Sequence, residues 1–176
     1  MFNFCPSCAS AKITFNEGKF FHCPDCGFVY YHNIAAATGC LITVPDGEPA
    51  QERLVFLVRG KEPAVGKLDL PGGFVDVGEG VIEGLYRELK EEIGWTPPAA
   101  PSLFASFSNV YEYKGIKYNT CDMYFHVCAP ELKPETLTLE KAEIAGVRFL
   151  KPADIDFSAF AFNSTVQAVK TYLRIL

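Results

Sequence analysis

The hydrophobic positions change rhythm several times along the chain, and each change marks an element. Ala36 to Val44 is an apolar run closed by Pro45-Asp46-Gly47, so it reads as a buried strand ending in a turn. Arg53 to Arg59 (Arg-Leu-Val-Phe-Leu-Val-Arg) reads as a second, strongly buried strand. Lys67 to Leu70 is a short strand stopped by Pro71-Gly72-Gly73. The period then lengthens. Ile82, Leu85, Leu89 and Ile93 recur at helical spacing, predicting a helix from Val81 to Ile93 with Gly94 just past its last turn. Ser102 to Tyr113 and Lys117 to Val127 predict two strands joined through Lys114-Gly115-Ile116, a hairpin. Glu143 to Leu150 predicts another strand, and Pro152 opens a short turn or helix. Asn163 to Leu176 predicts a closing helix with Asn163 as its N-cap. The expectation from residue 35 onward is therefore a mixed α/β architecture.

The first 33 residues follow no such rhythm. They hold little aliphatic material, and Ile13 to Phe21 predicts only a short hairpin turning at Asn16-Glu17-Gly18. Such a segment cannot build a core alone and needs a staple. Four cysteines supply one. Cys5-Pro-Ser-Cys8 and Cys23-Pro-Asp-Cys26 stand 14 residues apart, a four-cysteine zinc spacing. Rubredoxin-like iron and two free redox pairs are the alternatives. With four cysteines no coordination position stays open, so a catalytic zinc is not expected. The remaining cysteines, Cys40, Cys121 and Cys128, lie in apolar segments and are expected to be buried free thiols. Residues 1–33 and 34–176 are thus expected to be two domains.

Composition narrows the function. In 176 residues, 49% are hydrophobic and 21% charged, which excludes wholesale disorder. Lys plus Arg is 16 against 21 Asp plus Glu, a net charge of −5. That balance disfavours general duplex binding, and in the cysteine segment only Lys12 and Lys19 are fixed cations, so nucleic acid is disfavoured there too. Phosphate-bearing substrates remain open, because a metal ion can supply positive charge locally. No stretch reads as a bilayer helix, and Met1-Phe-Asn-Phe-Cys-Pro lacks the pattern of a secretory signal, so a cytoplasmic location without membrane partners is the expectation.

The predicted helix carries the chemistry. Glu88, Glu91 and Glu92 stand at i, i+3 and i+4 and share one face, away from the apolar stripe. Crowded carboxylates repel one another unless a cation compensates them, and hard oxygen ligands suit Mg²⁺ or Mn²⁺. Arg87 and Glu91, at i and i+4, can instead form an ion pair. Taken alone, such a face is more often simply solvated. The tight Pro-Gly-Gly turn ahead of the helix, with Glu79 six residues after Gly73, changes that balance.

The run Gly73-X5-Glu79-X7-Arg87-Glu88-Leu89-X-Glu91-Glu92-X-Gly94-Trp95 resembles the signature of the Nudix hydrolase family, with Trp95 where an aliphatic residue is more usual. The resemblance implies an α/β/α sandwich with a mixed sheet over about residues 35–176, preceded by a small four-cysteine zinc ribbon. It implies metal-dependent hydrolysis of a diphosphate bond in a nucleoside diphosphate derivative. Glu88 and Glu92 then become metal ligands, Glu91 a further ligand or orienter, and the Gly73 carbonyl a contributor. Glu79 supports the cluster and Arg87 orients a glutamate. The general base is Glu88, Glu91, Glu140 or Glu143. The N-terminal segment resembles the ribbon that accompanies NADH pyrophosphatase-type members. It could extend the substrate site, mediate homodimerisation or stabilise the fold.

Substrate class is less legible. Ser106 to Tyr113 lacks the Ser-Gln-Pro-Trp-Pro-Phe-Pro-X-Ser run of the NADH pyrophosphatases. Tyr111 stands where ADP-ribose pyrophosphatases tend to have proline, and a tyrosine near there is frequent in dinucleoside polyphosphate hydrolases. Phe107, Tyr111 and Tyr113 are the candidates for stacking a base. ADP-ribose, NADH-like dinucleotides and sugar nucleotides are the leading small-molecule substrates; a nucleotide-sensing module without turnover is the rival.

Overall fold

In the computed structural model the chain divides into two compact units, Met1–Ile34 and Ala35–Leu176. Residues 2–47 and 51–174 are described below. The first unit is an antiparallel three-stranded sheet: β1 (Thr14–Asn16), β2 (Phe20–His22) and β3 (Val29–Tyr31), in that order. The hairpin was expected; β3 was not, because Val29-Tyr30-Tyr31 is exposed throughout and shows no alternation.

In the second unit the strands are β4 (Ala35–Pro45), β5 (Glu52–Arg59), β6 (Leu68–Asp69), β7 (Ser102–Tyr113), β8 (Ile116–Cys128) and β9 (Ile144–Leu150). The order is β6-β5-β4-β8-β7, with β9 on β5. β4 and β8 run parallel and the other pairs antiparallel, so the sheet is mixed. The β7–β8 turn is tighter than expected. Tyr113 pairs with Ile116, leaving Lys114-Gly115 as a two-residue loop with both φ values positive, the geometry that suits the twist of a hairpin.

The central strands sort their side chains onto two faces. Cys40, Ile42, Val55, Leu57, Phe125 and Val127 pack against α1 (Val81–Ile93) through Leu85, Leu89 and Ile93. Leu41, Leu54, Phe56 and Tyr124 pack against α2 (Asn163–Leu173) through Ala168 and Val169. This odd–even division is the period-two consequence of strands buried on both faces. It makes the unit an α/β/α sandwich.

Several expectations need correction. Ile82 is 39% exposed; buried Gly84 joins Leu85, Leu89 and Ile93 on the inner face instead. Phe162, not Asn163, occupies the N-cap of α2, and Asn163 begins the helix. Of the three free thiols only Cys40 is fully buried, and desolvation pushes its pKa up to about 12. Cys121 is half-buried, and Cys128, the last residue of β8, is exposed. The prediction that Gly94 ends α1 holds: its φ of 65° places it in the left-handed region, and its N–H reaches back to the carbonyls of Leu89 and Lys90. Trp95 packs against the α1-side core.

Candidate active site

α1 commits Leu85, Leu89 and Ile93 to the sheet. The flanking residues Glu88, Glu91 and Glu92 are therefore turned toward the loop that links β6 to α1. That loop is strapped to β4: Thr38 N–H donates to the Gly73 carbonyl (2.8 Å) and Cys40 N–H to that of Pro71 (2.8 Å). Gly72, with φ of +143°, donates its N–H to Glu92 Oε2 at 2.8 Å. A Cβ on Gly73 would overlap the Glu88 carboxylate, so both glycines are needed for the helix and the loop to meet.

Between them opens a cavity of about 280 Å³. Glu88, Glu91, Glu92 and Glu143 form one side of it, and Lys61 pairs with Glu143 at the rim. Burial raises the Glu88 carboxyl, opposed by Arg87. Burial raises that of Glu92 well above the ordinary value, and the charges of Glu88, Asp69 and Glu143 add to it. The Thr38 hydroxyl, also in the wall, is buried with no hydrogen-bond partner. On the α2 side Phe74, Tyr111 and Phe162 form an aromatic wall, with ring centroids 5.3 Å (Phe74–Tyr111) and 5.6 Å (Tyr111–Phe162) apart. The Arg59 guanidinium lies 5.0 Å from the Phe162 ring centroid.

Arg87 organises the acidic side. It donates twice to Glu79 (2.7 and 3.1 Å), once to Glu88 (2.8 Å), once to Glu91 (3.1 Å) and once to the Phe74 carbonyl (3.0 Å). Glu79 does not line the cavity; it lies behind it, held by Arg87 and by Asp76 N–H. Lysine cannot reproduce that fork. Arg87→Lys is therefore expected to lower kcat by about 10- to 100-fold with little change in KM, as loss of a ligand-orienting partner does. Steady-state kinetics reads this directly. Acid sensitivity gives a second readout. The guanidinium holds the Glu79 carboxyl below its ordinary value near 4.5, so its contribution to stability is present above that value and lost as pH falls through the lowered one. The acid-unfolding midpoint of Arg87→Lys should lie at higher pH than that of the parent.

The other predicted residues separate. Of the aromatic trio only Tyr111 lines the cavity. Phe107 lies deeper, its ring centroid 6.3 Å from that of Tyr124, and Tyr113 lies at the hairpin tip beneath Lys114. Glu140 borders an adjoining depression with Glu143, but its carboxylate turns back to accept from Ala142 N–H (3.0 Å). The Gly73 carbonyl already accepts from Thr38, leaving one lone pair. Sequence reading missed Phe74, Phe162, Asn109, Thr120, Asp122 and Asp69. The available signal was alternation: Asn109 with Tyr111, and Thr120 and Asp122 with Tyr124, share one sheet face.

In the first unit the four Sγ atoms of Cys5, Cys8, Cys23 and Cys26 lie within 4.8 Å of one another. Cys5–Cys26 and Cys8–Cys23 are each 3.7 Å apart. A tetrahedral ion with metal–sulfur bonds of about 2.3 Å requires sulfurs about 3.8 Å apart, so the cluster fits such an ion and no disulfide.

The model of the NUDIX domain matches residues 33–168. The chain belongs to the NUDIX family. The relatives it resembles include the NAD-capped RNA hydrolase NudC of Chromobacterium violaceum, 34% identical over 91 residues, which are 52% of this chain and 32% of that protein. They also include the ADP-ribose pyrophosphatase of Methanocaldococcus jannaschii, 35% identical over 69 residues, 39% of this chain and 37% of that protein. The matches thus span well under half the length of either relative. Among solved structures, a NUDIX hydrolase from Nitrosomonas europaea superposes with a TM-score of 0.67 at 24% identity, covering 98% of this chain and 91% of that one. The NUDIX domain of Shewanella oneidensis NrtR, complexed with ADP ribose, superposes at 0.65 and 16% identity, covering 88% and 94%. These neighbours share the NUDIX fold. Among the described residues, no helix is long and apolar enough to cross a membrane.

Proposed function

We propose that this NUDIX domain hydrolyses the diphosphate bond of a nucleoside diphosphate derivative with the help of Mg²⁺ or Mn²⁺. The observation that carries the reading is the two-sided cavity: four glutamates on one side and the Phe74, Tyr111 and Phe162 rings on the other. A diphosphate held by divalent ions suits the first side, and a nucleobase the second. The donor set fits such ions. Glu88, Glu91 and Glu92, with the Gly73 carbonyl, offer hard oxygens. Bound there, a divalent ion would neutralise the diphosphate and make water a competent nucleophile at neutral pH.

The chain's own residues do the rest. Arg87 fixes the rotamers of Glu88 and Glu91, and Gly72 N–H fixes Glu92. Tyr111, Phe74 and Phe162 hold the base, which sets the diphosphate against the glutamates. Glu143 is the favoured base: it lines the cavity beside the α1 glutamates, and a substrate phosphate can take its Lys61 partner. Water then attacks phosphorus in line with the phosphate that leaves, and the proton goes to that carboxylate. The cysteine cluster is read as structural zinc, closed to chemistry.

The test is product analysis over NAD, NADH, ADP-ribose, sugar nucleotides, dinucleoside polyphosphates and an NAD-capped RNA, with Mg²⁺ or Mn²⁺ and with EDTA. Cleavage of one diphosphate class, abolished by chelation, is expected. Turnover that survives chelation would overturn the metal role, and silence from folded protein across the panel would favour a nucleotide-sensing module.

A further inference from the structure

Asp122 is a buried carboxylate that the proposed hydrolysis does not use. It is 8% exposed and lines the cavity on the α2 side, away from α1. Its Oδ1 accepts from the Thr120 hydroxyl at 2.6 Å and its Oδ2 from that of Ser164 at 2.7 Å. Among the described residues no Lys, Arg or His pairs with it, whereas Asp69, a half-buried aspartate of the same cavity, has Arg59 at 3.2 Å. A buried carboxylate is costly unless its lone pairs are satisfied, and each oxygen here keeps one free. Asn109 stands beside it: it pairs in register with Thr120, so Asn109 and Asp122 are diagonal neighbours on one sheet face. Asn109 also lines the cavity.

We infer that Asp122 and Asn109 read the edge of a 6-aminopurine held by the aromatic wall, Asp122 accepting from the exocyclic amino group and the Asn109 amide donating to the adjacent ring nitrogen. An acceptor-only group next to an amide matches an edge that offers an N–H donor beside a ring acceptor. The Thr120 and Ser164 hydroxyls spend their protons on Asp122, which fixes its orientation and keeps it an acceptor. This specificity rests on the reading of the cavity as a nucleotide site.

The experiment compares ADP-ribose with its purine-riboside and guanine counterparts, in the parent and in Asp122→Asn. The parent should favour ADP-ribose over the 6-deamino analogue by about 10- to 100-fold in kcat/KM, the worth of one hydrogen bond to a charged group. Asp122→Asn should compress that ratio toward one. Ser164→Ala removes one of the two hydroxyls that orient Asp122, and should lower Tm and narrow the ratio less than Asp122→Asn does. Equal use of both analogues by the parent would overturn the assignment. So would a guanine preference, or an Asp122→Asn variant that loses activity on all three to the same degree. Should no diphosphate be hydrolysed, the function reading fails separately. The edge reading is then tested by calorimetric binding of AMP against purine riboside 5′-monophosphate, where equal affinities overturn it.

Discussion

Glu92→Gln should abolish turnover and, without metal, make the domain more stable. The activity loss follows from the proposed role of Glu92 as a ligand of the divalent ion; a metal contribution of several kcal/mol translates into a fall of at least about 10³-fold in kcat. The stability gain has a separate cause. Burial first, then neighbouring negative charge, raises the Glu92 carboxyl well above its ordinary value of 4.5. A group with a raised folded pKa binds its proton more tightly in the fold than in the open chain. Its favourable contribution is present below pH 4.5 and is lost as pH climbs through the raised value, so at neutral pH the ionised side chain opposes folding. Glutamine keeps an oxygen for Gly72 N–H and drops the charge. Thermal unfolding in EDTA should therefore show the variant above the parent at neutral pH, with the two converging at low pH. Adding Mn²⁺ should reverse the order: a ligand at about 100 times its Kd contributes about 2.7 kcal/mol to the parent and less to the variant. Near-parental kcat, or an unaltered Mn²⁺ response, would remove Glu92 from the site.

Cys23→Ser should cost the first unit its metal and its fold. Cys23 is wholly buried, and its Sγ stands 3.7 Å from that of Cys8. Around it, among the described residues of that unit, only Cys5 and Phe21 are buried, too little apolar material to hold some thirty residues together. A structural zinc in a small domain is worth about 10–16 kcal/mol of apparent free energy, which is folding free energy. Elemental analysis should find one zinc per parent chain and at most a trace in the variant. Limited proteolysis should then cut within residues 1–34 and spare 35–176, because both cores of the second unit are built from its own residues. Unchanged zinc content would refute the assignment.

How much of this was legible in the sequence depended on whether a signal was local. Val81–Ile93 was fixed to the residue because an apolar period, an acidic face and a left-handed glycine all agree there. The buried strands β4 and β5 were legible as apolar runs, but their neighbours were not: nothing local to Ala35–Pro45 says that it pairs in parallel with Ile116–Cys128. The site divided the same way. Glu88, Glu91, Glu92 and Arg87 follow from helix geometry and do meet at one cavity. Phe162 and Asp122 reach it from the start of α2 and from β8, which only the folded sheet brings together. Phe107 and Tyr113 share the Tyr111 face by alternation, but lie one step too deep and one step too far out. Period-two reasoning assigns a face, not a depth along it.

The parallel β4–β8 pairing also governs how the chain can be made. Ala35 finds its partner Thr120 roughly 85 residues later, so loop closure must precede any reward from the central pair. During synthesis Cys5, Cys8, Cys23 and Cys26 emerge ahead of β4 and can be loaded while the sheet still lacks its middle. Until residue 128 is out, β4 lacks its parallel neighbour, and until α2 follows, the face of β4 and β5 that carries Leu41, Leu54 and Phe56 lacks its helix. Folding of this chain therefore has a built-in wait, during which two of its most hydrophobic strands are exposed to chaperones or to aggregation.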